Sequence, residues 1–360
     1  DQSQSHHKLI GLHPIPPPGG IGVYGIVFQR MIRTLSLFAA LLLAAPSHAQ
    51  DGARTLETRP VLLTERPGGA ETAGRLHGLG MLELPDITVN GLRFSQLSGL
   101  AWDDDDGILY AISDKGALFH LRPMLRDGKL VGLQLLKTAS LKEADGKPLK
   151  GRRADSEGLD ILKGRNGRKG DAELVISFER FPRIVRYHSD GTVISEYPLP
   201  TPLNDRKSYR DSNKMLESVC VDEKLGVLTM PEDPLVNERP GYNRIFRVAG
   251  GSWLIPATGE FRPSAIECLG NGRVLILERD FGRLLGRAVA LRIATLVGDG
   301  GESVSTVETV ALLDTAQGYQ IDNFEGLTRH KGNRFFMVSD NNDLFVQRTL
   351  LLYFEIVENY

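Results

Sequence analysis

The sequence predicts an all-β protein, specifically a β-propeller of five or six four-stranded blades. Three observations predict it. One short pattern recurs five times, each copy is followed by further apolar strands, and no long segment keeps a helical period.

The five copies are QLSGLAWDDDDGILYAISD (96–114), DSEGLDILKGRNGRKGDAELVISFE (155–179), MLESVCVDEKLGVLTMPE (215–232), PSAIECLGNGRVLILE (263–278) and NFEGLTRHKGNRFFMVSD (323–340). Each opens on a small or acidic residue and a short apolar strand. A Gly, Asn or Asp turn follows, then a second apolar strand that ends on an acid. The second strands, ILYAIS, ELVISF, GVLTMP, RVLILE and RFFMVS, are short apolar runs bounded by turn residues, which favours strand over helix. Further strands complete each unit: ALFHLRP, RIVRYHS with TVISEYPLP, RIFRVAG with SWLIPA, AVALRIATLV with STVETVALL, and LFVQRTLLLYFEIV. Four strands repeated about every 50 residues are the signature of a propeller. GMLELPDITV, near residues 80–89, is expected to pair with the C-terminal strand and could complete a sixth blade.

In such a blade the innermost strand runs from the top face down and the second strand returns. The residue opening the first strand and the residue closing the second therefore share one rim. The repeats align Ser98, Glu157, Glu217, Ser264 and Glu325 at the opening position, and Asp114, Glu179, Glu232, Glu278 and Asp340 at the closing one. Crowded carboxylates repel, and a buried unpaired one is costly, so something positive must offset them. A ring of hard oxygen ligands suits Ca²⁺. Glu157, Glu217, Glu325, Asp114, Glu232 and Asp340 are the expected metal ligands, with Glu157, Glu325, Glu179 and Glu278 as catalytic acids. The competing reading is architectural: Arg180 and Arg279 directly follow two closing acids and could simply pair with them.

Basic residues crowd the same face. The loops after the second strands and between blades carry Arg153, Arg180, Arg183, Lys214, Arg279 and Arg283. All but Arg283 are taken as binding groups for a small anionic, phosphorylated substrate, since guanidinium forks and lysine charges suit phosphate oxygens.

Composition limits the alternatives. A net charge of −2 points to neither nucleic acid nor an anionic membrane surface. MIRTLSLFAALLLAAPSHAQ (31–50) reads as a secretory signal cleaved near Ala49, with residues 1–30 a leader outside the fold. Its apolar run is too short to span a bilayer. Residues 50–74 are expected as a flexible N-terminal segment and 75–360 as the propeller, a monomer in the periplasm or secreted. Export permits a disulfide between Cys220 and Cys268, but two buried thiols packing as small apolar residues is the favoured reading.

DSEGLDIL, SFERFPRIVRY, FRPSAIECL, LERDFG and DNFEGLTRH together resemble the phytase-like family, "esterase-like activity of phytase", over roughly residues 75–358. The resemblance implies an exported bacterial propeller with phosphoesterase chemistry. Carried over by position, it implicates Asp155, Glu157, Glu179, Glu267, Glu278, Asp322, Glu325 and Asp340. Ser98 and Ser264 depart from it, standing where the other repeats have glutamate.

Other motifs fall away. RHKGNR (329–334) sits in a hairpin turn, with Lys331 interrupting any Arg-His-Gly motif; no Gly-x-Ser-x-Gly elbow or phosphate loop is present. WDDDDG (102–107) reads as a solvated turn. The expected function is an exported, metal-dependent phosphate-ester hydrolase. A lactonase-type propeller and a non-catalytic binding or scaffold propeller are the alternatives.

Overall fold

The computed structural model describes residues 52–66, 71–280, 286–298, 300–344 and 346–358. The expected leader and signal segment lie outside the described residues, as does Arg283. Five sheets follow one another along the chain, each built outward from an innermost strand. The innermost strands are Leu97–Asp103, Ser156–Leu162, Leu216–Asp222, Arg262–Gly270 and Asn323–Arg329, for blades 1 to 5. All pairings along the blades are antiparallel. Among the described residues there is no α-helix, only three short 3₁₀ turns.

The blade count settles at five. Leu76–Glu83, which includes the start of the 80–89 segment that could have completed a sixth blade, pairs with Leu350–Ile356 and becomes the fourth strand of blade 5. The circle is thus closed by joining an early strand and a late strand of the propeller in one sheet. The stretch expected to be flexible also joins in. Arg54–Thr55 extends blade 1 along Lys129–Ser140, and Arg59–Val61 lies along Leu76–Glu83. Each covers the backbone of an otherwise open edge.

Period-2 alternation explains why the second strands look apolar on both faces. In Glu173–Phe178, Leu174, Ile176 and Phe178 pack toward blade 1 while Val175 packs toward blade 3. In Arg334–Asp340, Phe335 and Met337 face blade 4, and Phe336 and Val338 face blade 1. The core is therefore five apolar layers, one between each pair of neighbouring blades.

Two further expectations are corrected. Cys220 and Cys268 form a disulfide, with Cα atoms 5.5 Å apart. They lie on adjacent innermost strands, and their separation of 48 residues is one blade repeat. That repeat places them side by side, within bridging distance. The WDDDDG turn is docked rather than merely solvated. Asp103 Oδ1 accepts from the amides of Asp105 and Asp106, while the Asp105 and Asp106 carboxylates accept from amides at Asn166, Gly167 and Gly170 of blade 2.

Candidate functional site

Every innermost strand carries an irregularity at the same place. The register against the second strand shifts between Leu97 and Gly99, Ser156 and Leu159, Leu216 and Ser218, Pro263 and Ala265, and Phe324 and Gly326. One extra residue is accommodated at each bulge, and bulges re-aim side chains. The opening residues Ser98, Glu157, Glu217, Ser264 and Glu325 all fall within these shifts. The glycine after the glutamate is required by packing. A Cβ at Gly158 would stand 2.6 Å from both Ser177 Oγ and the Val219 amide nitrogen of blade 3. At Gly326 it would stand 2.7 Å from Val338. Where serine replaces glutamate, the hydroxyl ties blades together: Ser98 donates to the Ser156 carbonyl at 2.6 Å and Ser264 to the Phe324 carbonyl at 3.0 Å.

The acids converge. Ligand oxygens of Asp155, Glu157 and Glu179 lie within 4.8 Å of one another, as do those of Glu179, Glu217 and Glu232. The two groups share Glu179. Glu217 and Glu325 are also bridged through Arg279, whose Nη2 donates to Glu217 Oε1 at 2.9 Å and whose Nη1 pairs with Glu325. Arg279 Nη2 stands 3.5 Å from Glu232 as well. Asp114 and Asp340 complete the rim near Lys115 and Gln96; Lys115 Nζ lies 2.7 Å from Asp114 Oδ2.

The electrostatics are strained. Burial, then Glu217, Glu179, Asp155 and Asp114, holds the Glu157 carboxyl well above the usual carboxylate range. Glu217 is raised by burial and then by Glu232, with Arg279 opposing. Burial, then Asp155 and Glu232, pushes Glu179 up to about 8. Asp340 is pushed up to about 6, chiefly by burial. No described residue gives the Glu157 or Glu179 carboxylate a hydrogen bond or ion pair, and the buried Asp114 Oδ1 is unpartnered. An oxygen-only donor set in which the Glu157 and Glu179 carboxylates are unpaired fits a hard divalent cation.

The structure moves several expected residues. Pro263 pairs with Glu278 and Arg262 with Arg279, whereas Leu97 pairs with Ser113, Ser156 with Phe178 and Leu216 with Pro231. The position equivalent to Asp114, Glu179 and Glu232 is therefore Arg279. A one-residue offset sends a strand side chain to the opposite face. Glu278 accordingly leaves the ring and lies fully buried between blades 3 and 4. Its oxygens take Arg292 Nη1 at 2.9 and 3.1 Å, and Arg292 also donates to the Pro256 carbonyl. Arg279, expected among the basic residues around the acids, stands among them, paired with Glu217, Glu232 and Glu325.

Arg183 is likewise internal. It is buried, stacks 3.7 Å over the Phe178 ring and donates to the Arg153 and Phe181 carbonyls. Arg153 is paired with Glu143. Arg180 and Lys214 stay at the site: Arg180 Nε lies 2.5 Å from Asp155, and Lys214 Nζ 3.7 Å from Glu232. Asp322 is held by Arg287 and the Arg348 amide.

Glu267 lies toward the opposite mouth. There it lines a cavity of about 740 Å³ with Asp160, Arg165 and Arg329. Between the two ends lies a pocket of about 10 Å³, with Leu100, Leu159, Val219, Ile266 and Leu327 among its lining residues.

Asn323 was not foreseen. Its Nδ2 donates to Glu325 at 2.6 Å and its Oδ1 accepts from Arg279 at 3.0 Å. The signal was its place two residues before Glu325, on the same strand.

These features define a five-bladed β-propeller with an acidic mouth at one end of its channel. The chain belongs to the phytase-like family, described as "esterase-like activity of phytase", whose model matches residues 92–343. No curated protein matches it. Among solved structures, a gluconolactonase from Xanthomonas campestris aligns with a TM-score of 0.41 at 13% identity, covering 84% of this chain and 97% of that one. The Cps50 (Swd1) propeller domain of Myceliophteria thermophila aligns at 0.38 and 9% identity, covering 85% and 100%. YCF48 from Cyanidioschyzon merolae aligns at 0.35 and 12%, covering 79% and 99%. At such scores the likeness is one of outline.

Proposed function

We propose that this protein is an exported hydrolase of phosphate esters that works with a divalent cation, Ca²⁺, at the acidic mouth. The observation that carries the reading is the convergence of acids from two neighbouring blades in two groups that share Glu179, Asp155 with Glu157 and Glu179, and Glu179 with Glu217 and Glu232, each close enough to hold an ion. Asp155, Glu157 and Glu179 would hold it. A divalent cation there supplies charge that polarises a phosphoryl oxygen. Arg180 and Lys214, each already beside an acid of the site, would orient the anionic substrate. The family description points the same way. The disulfide suits an oxidising compartment and so supports periplasmic or secreted location.

A scaffold reading has one observation in its favour: Arg279 already offsets three acids. Calcium added to chelator-treated protein separates the two. A ligand bound only by the folded chain raises its melting temperature. The hydrolase reading expects that rise, together with phosphate release from an aryl phosphate. It also expects Glu157→Gln and Glu179→Gln to lose release by about 100-fold or more while staying folded. Unchanged melting and no release would leave the scaffold. Turnover of lactones but not phosphate esters would reassign the site to a lactonase.

A further inference from the structure

The ring that closes the second strands is acidic in four blades and basic in one. Strand register makes Asp114, Glu179, Glu232, Arg279 and Asp340 equivalent. The exception is not at the edge of the acids. Its guanidinium lies on one of the two three-carboxylate groups, with Nη2 at 2.9 Å from Glu217 and 3.5 Å from Glu232. Its other arm is fixed by Glu325 and by Asn323, whose amide is in turn held by Glu325. The side chain is only 13% exposed.

We propose that Arg279 is a built-in cation. It takes the place of a second divalent ion at Glu179, Glu217 and Glu232, and so limits the mouth to a single ion at Asp155, Glu157 and Glu179. The proposal rests on the cation reading given under Proposed function. Its physical basis is simple. Guanidinium is permanently charged and its planar fork can engage several carboxylates at once. An ion entering the second group would meet that fixed charge at contact distance, in a poorly hydrated setting where like charges repel strongly. The shared ligand, Glu179, is then left to the first group. Glu157 and Glu179, the two carboxylates that no described residue pairs, both belong to that group.

The experiment is calorimetric titration of chelator-treated protein with CaCl₂, with bound calcium counted by elemental analysis. Wild type binds one ion per chain. Arg279→Gln, which removes that charge from beside Glu217 and Glu232, binds two. Arg279→Lys, which keeps a charge there, stays at one. An Arg279→Gln chain that folds only when calcium is added, and then holds two ions, supports the assignment equally. One ion on both wild type and Arg279→Gln overturns it while leaving the cation reading intact. Two ions on wild type, or an Arg279→Gln chain unfolded at every calcium concentration, overturns it as well. No calcium on either protein removes both readings together.

Discussion

At Gly158 the side chain's absence is the point: the Val219 amide of the next blade occupies the space a methyl would need. Gly158→Ala should therefore cost about 1–3 kcal/mol, the usual penalty for overpacking. Urea unfolding would check it, and a negligible change would mean the bulge relaxes freely. Glu278 and Glu157 make a sharper contrast. Breaking the buried Glu278–Arg292 pair with Glu278→Ala should cost about 3–5 kcal/mol, because a buried guanidinium loses its partner. Calcium affinity should hardly change in the chains that fold. Glu157→Gln should do the reverse, and equal effects on binding would undo the relocation of Glu278.

The acids also set a pH dependence. Glu179, raised to about 8, binds its proton more tightly in the folded state than unfolded, where its range is about 4.3. Its contribution to stability is full below the unfolded value and is lost as pH rises through 8. Metal-free protein should therefore melt at lower temperature at pH 8 than at pH 5.5. Saturating calcium, which favours the ionised form, should flatten that slope. A metal-free melting temperature that rises over the same interval contradicts this.

At the scale of strands, much was legible and the failures have physical causes. Apolar runs bounded by turn residues marked every innermost and second strand, because each is packed on both faces by neighbouring blades. The Glu-Gly-Leu pattern marked the bulges. Assigning Glu278 to the ring failed because PSAIECLG aligns with its siblings only once the bulge is counted, and nothing local says whether Pro263 faces Glu278 or Arg279. The cysteines were misjudged because their bond depends on two strands becoming neighbours, a fact of tertiary structure. Their spacing of one repeat was the available signal. With 48 residues between its ends, the bridge should contribute about 2–4 kcal/mol. The Cys220→Ser, Cys268→Ser double variant should lose that much in denaturant titration. An unchanged midpoint would mean the packing between blades 3 and 4 needs no staple.

At the scale of the whole molecule, stability depends on a circle with one non-sequential joint. Leu76–Glu83 hydrogen-bonds to Leu350–Ile356 and screens the Arg334–Asp340 sheet from solvent on that side. Removing residues 52–84 should leave a long apolar edge exposed. That variant should aggregate, as light scattering would record; a monodisperse truncated chain would show that four-strand closure is dispensable. The same joint constrains the order of synthesis. The segment at Leu76 leaves the ribosome some 270 residues before its partner at Leu350, on the order of tens of seconds earlier at ordinary translation speeds. Until Leu350–Ile356 has been made it has no mate, so the circle can close only after all five innermost strands have been synthesised.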